Sequence, residues 1–387
     1  MKAGWVLEHL GAVSATVMGQ APAGKDCNKE GRGTPFVKAG EFGPSRPIIR
    51  EWTTNPKKLA KSTDVLICVV GATCGKINLG ADCAIGRSAA AIRPNTIKLD
   101  QFFLHYFLEG QVQRLRTGSL GSAQTVISKD MLAAVEIPLP PLEEQQRIVA
   151  VLDEAFEGLT RARAHAEANL QNARELFENS LIATFDQVVG SSDHMTLEDA
   201  STSFGRGRSR HRPRNAPFLY GGPYPFVQTG DIRNSDGTVS TFSQSYSEEG
   251  LAQSKLWPAG TICITIAANI AETAVLGFDA CFPDSIIGMV SDPKITFPEY
   301  VEFMLRFFAA DLKKQGKGSA QDNINLGTFE RTEFPFPPQQ EQQEIVERLS
   351  RLANETTLLS DDYSQKLQDL DDLRQSILQK AFAGELT

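Results

Sequence analysis

Two stretches decide how this chain is built: IPLPPLEEQQRIV at residues 137–149 and FPFPPQQEQQEIV at residues 334–346. In each, a Pro-Pro step leads into a Glu/Gln-rich first turn and then an apolar run at steps of three and four, which is how a helix N-terminus is written. Each copy therefore predicts the start of a long helix. The copies lie 197 residues apart, the interval from Ile137 to Phe334. GSAQ at 121–124 returns as GSAQ at 318–321 with the same interval, and TPFVKAGEF at 34–42 is echoed by YPFVQTGDI at 224–232. Such a period is too long for a solenoid repeat, so the duplicated unit is a domain plus a helix.

Beyond Leu142 the apolar positions run Ile148, Leu152, Phe156, Leu159, Ala162, Ala166, Leu170, Ala173, Leu176, Phe177 and Leu181. The second copy gives Ile345, Leu349, Leu352, Thr356, Leu359, Tyr363, Leu367, Leu370, Leu373, Ile377 and Ala381. Neither run contains a proline, and the pattern is close to a coiled-coil seam. It predicts helices of about 40 residues and roughly 60 Å. Neither helix can bury its stripe alone, so the two stripes are expected to meet. An internal two-fold would make the pair antiparallel, with a globular domain at each end of the rod.

The 387 residues suffice for two or three domains. No N-terminal stretch reads as an export signal and no apolar run is long enough to span a bilayer, so a cytoplasmic location is expected. The six cysteines form no CxxC pair and have no histidines at ligand spacing, which predicts small buried side chains and no metal site. The net charge of -8 conceals a division by segment. Residues 1–140 carry 17 Lys+Arg against 11 Asp+Glu, whereas residues 141–190 carry 4 against 9 and residues 337–387 carry 5 against 10. The acid is concentrated in the helices.

The globular segments show short β-branched runs, Val65 to Val70 and Thr261 to Ile266, that read as central strands. Each closes with an aromatic helix, FFLHYFL at 102–108 and YVEFMLRFF at 300–308, in which His105 reads as a core residue. The second segment also carries FGRGRSRHRPR, which places Arg206, Arg208, Arg210, Arg212 and Arg214 at alternate positions. Guanidinium groups suit bidentate contact to phosphate or guanine edges, although the same string also suits a solvated loop. The first segment spreads its basic residues over Lys25, Lys29, Arg32, Lys38, Arg46, Arg50, Lys57, Lys58 and Lys61.

The two Pro-Pro helix starts, the GSAQ approach to each and the closing RQSILQKAFAGEL together resemble the specificity subunit of type I restriction-modification systems. The resemblance covers the whole chain. It implies an α+β fold in which two globular target-recognition domains, 1–136 and 190–333, alternate with helical conserved regions, 137–189 and 334–387. The helices would form an antiparallel coiled coil with internal pseudo-two-fold symmetry. It further implies a non-catalytic subunit that reads a bipartite double-stranded DNA target and holds two adenine-N6 methyltransferase subunits, with a motor-endonuclease subunit added for restriction. S-adenosylmethionine, ATP and Mg²⁺ would then belong to those partners, and none would be bound by this chain.

Under that resemblance, DNA contact is expected from Arg206, Arg208, Arg210, Arg212, Arg214 and Arg233. Lys25, Lys29, Arg32 and Lys38 are the candidates in the first segment. Lys38 and Gln228 occupy matching positions in PFVKAG and PFVQTG and are candidates for base contact. Ser122 and Gln124, with Ser319 and Gln321, are candidates for an anion-binding turn. Glu143, Glu144, Arg147, Glu341, Glu344 and Glu347, on the helix starts, are expected to face protein partners, with a solvated face as the alternative. Two rival readings concern the whole chain. Pro283-Asp284 with Asp292-Pro293-Lys294 fits a loose nuclease pattern, but Pro293 suits a strand poorly and the first copy has no equivalent. No nucleotide-binding loop or amino-methyltransferase signature supports a self-contained methyltransferase. A bare coiled-coil scaffold would leave the arginine cluster without a purpose.

Overall fold

A computed structural model describes residues 4–117, 126–211, 213–267, 270–316 and 324–386. The chain forms two compact units, the first of residues 1–168 with 364–387 and the second of residues 169–363. These divisions fall inside the two long helices, whereas the borders read from the sequence follow the helix ends.

In the first unit a four-stranded antiparallel sheet runs in the order Ser14–Met18, Ala89–Pro94, Val65–Cys68, Ile77–Leu79. Every residue of Val65–Cys68 is buried because the strand is central and covered on both faces, which is why its sequence is continuously apolar. A second sheet contains Thr34–Val37 paired parallel to Cys83–Ile85. The second unit repeats this plan. Ile262–Thr265 lies buried between Ile286–Ser291 and Thr273–Leu276, and Ser201–Arg206 forms the edge beyond Ile286–Ser291. Its other sheet again holds a parallel pair, Phe226 opposite Cys281. In both units an aromatic helix covers the first sheet, Gln101–Thr117 in one and Pro298–Gly316 in the other. His105 is buried, as expected.

The long helices are Leu142–Ser191 and Gln339–Ala383, 50 and 45 residues against the expected 40 or so. Within each unit the two helical segments run antiparallel. In the first unit the guanidinium of Arg374 sits 3.8 Å from the ring centre of Phe156, and Arg163 pairs with Asp371 at 2.6 Å. In the second, Asn169 donates to the Tyr363 hydroxyl at 3.1 Å and Arg348 donates to the Thr184 hydroxyl at 2.9 Å. The seam departs from the expected stripe at four places: Ala162, Leu176, Leu359 and Leu373 are exposed. The partly buried Arg163, Ser360 and Arg374 lie along the seam in their stead. Packing keeps to steps of three and four residues, which skip apolar side chains one position off the face.

Each helix start is locked by one buried glutamine. Gln145 Nε2 donates to the carbonyls of Lys98 and Pro140, at 2.8 and 2.9 Å, while its Oε1 accepts from the Asp100 N–H at 2.8 Å. Gln342 repeats this in the second unit, donating to the carbonyls of Ile295 and Pro337 and accepting from the Thr296 hydroxyl. Both side chains are fully buried, and both tie the Pro-Pro step to the segment that leads into the aromatic helix. The neighbouring short pairings Val6–His9 with Glu136–Leu139, and His194–Met195 with Phe334–Pro335, fix the same corner.

The aromatic helices carry a second matched pair, His105 and Glu302, again 197 residues apart. Glu302 is 4% exposed, its Oε1 lies 3.8 Å from Arg306 Nε, and the Arg306 guanidinium lies 4.9 Å from the Phe177 ring centre. Burial pushes the Glu302 carboxyl up to about 7 against the opposing pull of Arg306 and Thr273. His105 is pulled below the usual histidine range by burial, with Glu109 3.6 Å away and itself held by Arg374 at 2.7 Å. The two groups have opposite linkage. Glu302 contributes stability below the ordinary carboxylate range that is lost as pH rises through about 7, roughly 3 kcal/mol in all. His105 contributes stability that is lost as pH falls below its ordinary titration range. Glu302→Gln should therefore flatten the loss of stability seen in urea unfolding between about pH 5 and pH 8. An unaltered pH profile would contradict a neutral, buried Glu302.

Candidate nucleic-acid interface

The arginine cluster of the second unit lies in a loop, as its sequence suggests, entered from a strand that ends at Arg206. Its beginning belongs to the edge strand Ser201–Arg206, and the loop beyond is pinned by hydrogen bonds. The Gly207 N–H donates to the Ile286 carbonyl at 2.9 Å and the Arg208 N–H to the Phe282 carbonyl at 3.1 Å. A Cβ at position 207 would lie 2.2 Å from the Phe282 carbonyl oxygen, so only glycine permits this approach. Next, the N–H groups of Arg210 and His211 both donate to Gln253 Oε1, at 2.5 and 3.0 Å. Gly207 and Ser209 point inward and are buried, while Arg206, Arg208 and Arg210 are exposed. Burial alternates along the segment, so the side chains of Arg206, Arg208 and Arg210 are left to solvent while the residues between them face the protein.

Arg214 stands apart from this row. Its Nη2 donates to both oxygens of Asp284 at 2.8 Å, and its carbonyl accepts from the Tyr220 hydroxyl at 2.7 Å, so it closes the end of the segment. The same contact occupies one carboxylate of the nuclease-like pattern. The other, Asp292, accepts from the Lys294 backbone N–H at 2.9 Å, as a turn residue does. Among the described residues no cluster of His, Cys, Asp and Glu could hold a metal ion. Five of the six cysteines are buried, and burial pushes the Cys83 thiol up to about 12. Arg212 lies outside the described residues, as do Ser122, Gln124, Ser319 and Gln321.

Lys255 completes the basic edge, and no motif around it marks it out. Its ammonium donates to the Ser203 hydroxyl at 3.0 Å and lies 3.4 Å from the centre of the Trp257 ring. The adjacent Ser254 hydroxyl donates to the Arg208 carbonyl at 2.8 Å, which sets the two segments side by side. Burial, with Arg208 close by, draws the Lys255 ammonium below the usual lysine range.

Lys38 and Gln228 do occupy equivalent places. Each precedes a single helical turn, its backbone N–H donating to the acid three residues on, Glu41 at 3.0 Å and Asp231 at 2.8 Å. Their side chains differ. Gln228 Nε2 donates to Gln244 Oε1 at 2.7 Å, forming an uncharged amide pair, whereas Lys38 is bonded to Glu51. That bond, the largest influence on it, raises the Lys38 pKa, so Lys38 is a neutralised cation rather than a free one. Lys25 and Lys29 are exposed, and Arg32 pairs loosely with Glu30 at 3.3 Å on the open surface. Backbone pairing of Cys27–Asn28 with Trp52–Thr53 draws these residues toward Lys57, so the basic edge of the first unit is built from different residues. Arg233 lies off both edges, on a 250 Å³ cavity shared with Glu178, Glu272, Glu302, Arg306 and Lys313.

On the helix starts, Arg147 lies 3.9 Å from Glu143 and 3.5 Å from Glu144. Glu341, Glu344 and Glu347 are exposed, the last two accepting from Gln340 and Gln343. Acids in a first turn also favour the helix dipole, which accounts for part of their placement. Among the described residues no helix is long and apolar enough to cross a membrane.

The fold is a twice-built mixed-sheet domain joined to long helices that run antiparallel within each unit, with an exposed basic row on the second copy. The chain belongs to the type I restriction modification DNA specificity domain family, whose model matches residues 3–169 and again residues 195–368. It is 34% identical over 168 residues to the putative type I restriction enzyme MjaX specificity subunit of Methanocaldococcus jannaschii; that match covers 43% of this chain and 39% of its relative, well under half. It is 22% identical over 395 residues to the type I restriction enzyme EcoKI specificity subunit of Escherichia coli, covering 91% of this chain and 82% of that protein. Among solved structures, a chain from a study of complex assembly and conformational transition in a type I R-M system matches with a TM-score of 0.82 at 20% identity, covering 100% of this chain and 99% of that one. The HsdS subunit from Thermoanaerobacter tengcongensis matches with a TM-score of 0.63 at 20% identity, over 99% and 98% of the two chains.

Proposed function

We propose that this chain reads a bipartite double-stranded DNA target, one half per globular domain, and docks two adenine-N6 methyltransferase subunits through its helices, with a motor-endonuclease subunit completing the restriction complex. The observation that carries this reading is a duplicated plan bearing unlike edges. The second domain presents Arg206, Arg208 and Arg210 with an amide pair at Gln228, while the first presents Lys25 and Lys29 with a neutralised Lys38. One scaffold with two different reading surfaces suits two different half-sites, because groove contacts specify a sequence while phosphate contacts position the reader. The exposed acids Glu341, Glu344 and Glu347 repel DNA and leave the helix starts to protein. Methyl transfer and cleavage, with S-adenosylmethionine, ATP and Mg²⁺, belong to the partners.

The test is to map methylated adenines in DNA from cells carrying this chain with its methyltransferase subunits. The expected motif has two specified parts separated by unread bases. Replacing Gln228 and Gln244 together by alanine should relax or alter one part and leave the other intact. A single contiguous motif, or simultaneous loss of both parts with the protein still folded, would overturn the reading.

A further inference from the structure

We propose that Lys255 is a DNA-phosphate ligand, a fourth cation beside the row Arg206, Arg208 and Arg210, and that this edge grips the sugar-phosphate backbone rather than bases. The inference rests on the DNA-reading function proposed above and assigns a role within it.

The geometry argues for an anion. Among the described residues no carboxylate forms an ion pair with Arg206, Arg208, Arg210 or Lys255, whereas Arg214, a few residues on, is fully engaged by Asp284. Lys255 and Arg208 are thus held on adjoining segments with no acidic partner among the described residues, and an incoming anion would find both. The backbone of the arginine row is fixed by Phe282, Ile286 and Gln253.

The same geometry argues for phosphate in particular. Three exposed arginines at alternate positions, with Ser254 holding the Lys255 segment against the Arg208 carbonyl, gather positive charge without an acidic partner among the described residues, which suits the charge-dense backbone of a nucleic acid. The Lys255 ammonium is held by the Trp257 ring and by Ser203, which leaves one of its three N–H donors for a ligand. An ammonium is a point charge without the planar fork that discriminates guanine, and it suits a phosphate oxygen. Base reading in this domain is then left to uncharged groups such as the Gln228 and Gln244 pair.

Binding of the purified full chain to two duplexes, one containing the mapped target and one lacking it, is measured against salt concentration. Lys255→Met keeps the stem on Trp257 and removes the charge. It should weaken binding to both duplexes equally and reduce the slope of log affinity against log salt by about 1. Lys255→Arg should restore the slope, and the methylated sequence should stay unchanged in both variants. Arg208→Gln, at an exposed position, should give the same loss of slope and serves if Lys255→Met does not fold. An unchanged slope in a folded Lys255→Met or Arg208→Gln chain, or a changed methylated sequence, would overturn the assignment. Wild-type chain without any salt-dependent DNA binding would instead reject the function itself.

Discussion

Replacing Gln145 by leucine should destabilise the first unit by about 4 kcal/mol and lower its melting temperature by roughly 8–15 °C. The side chain is fully buried and makes three hydrogen bonds, to the carbonyls of Lys98 and Pro140 and from the Asp100 N–H. Leucine has nearly the same volume, so packing is kept while two carbonyls and one amide lose their partners inside the protein, at about 1–3 kcal/mol each. Gln145→Glu separates the contributions. It retains an acceptor for Asp100 but turns a carboxylate toward two carbonyl oxygens, and should destabilise by a similar amount or more. Gln342→Leu should do the same to the second unit through Ile295, Pro337 and Thr296. Chemical denaturation with hydrogen exchange at residues 98–100 and 295–296 would check both. A loss under about 1 kcal/mol would show that water substitutes for the amide.

Neutralising Arg206, Arg208 and Arg210 together, each to glutamine, should cut DNA affinity by about 10²-fold to 10³-fold on any sequence. The salt slope should become shallower by about 3, since each phosphate contact contributes about 0.9. All three side chains are exposed and make no ion pair among the described residues, so the fold should tolerate the change with a shift in unfolding free energy of under about 1 kcal/mol. Arg214→Gln is the contrasting control. It breaks the contact with Asp284 at the end of the segment, so it should loosen the loop without a comparable change in salt slope. Retention of full affinity by the triple variant would place the DNA-binding edge elsewhere.

These two sites differ in how far the sequence disclosed them. The arginine row was legible as composition, because alternate basic residues in a Gly-containing string are conspicuous. What the string hid was its anchoring: a loop leaving a strand edge, drawn against Phe282 where only Gly207 fits. Gln145 was legible in position but not in role. It sits three residues before Ile148 and seven before Leu152, on the apolar face, yet it reads as one more polar residue of the EEQQ run. The duplicated glutamine at 342 was the signal that could have found it. Lys255 had no local signal, since some 50 residues separate it from Ser203 and only the fold brings them together. The long helices and central strands were readable because burial leaves a periodic trace. Exposed Leu176 and Leu373 show where that trace misleads, an apolar residue one step off the seam.

The first unit is closed by the far end of the chain. Its core includes Leu378 and Ala381, and Phe382 packs edge-on against Phe103 and Phe107 at ring separations of 5.1 and 5.3 Å. The second unit is made of contiguous chain, residues 169–363. The contacts that complete the first unit therefore span nearly the whole sequence, so closing it costs more chain entropy than closing the second.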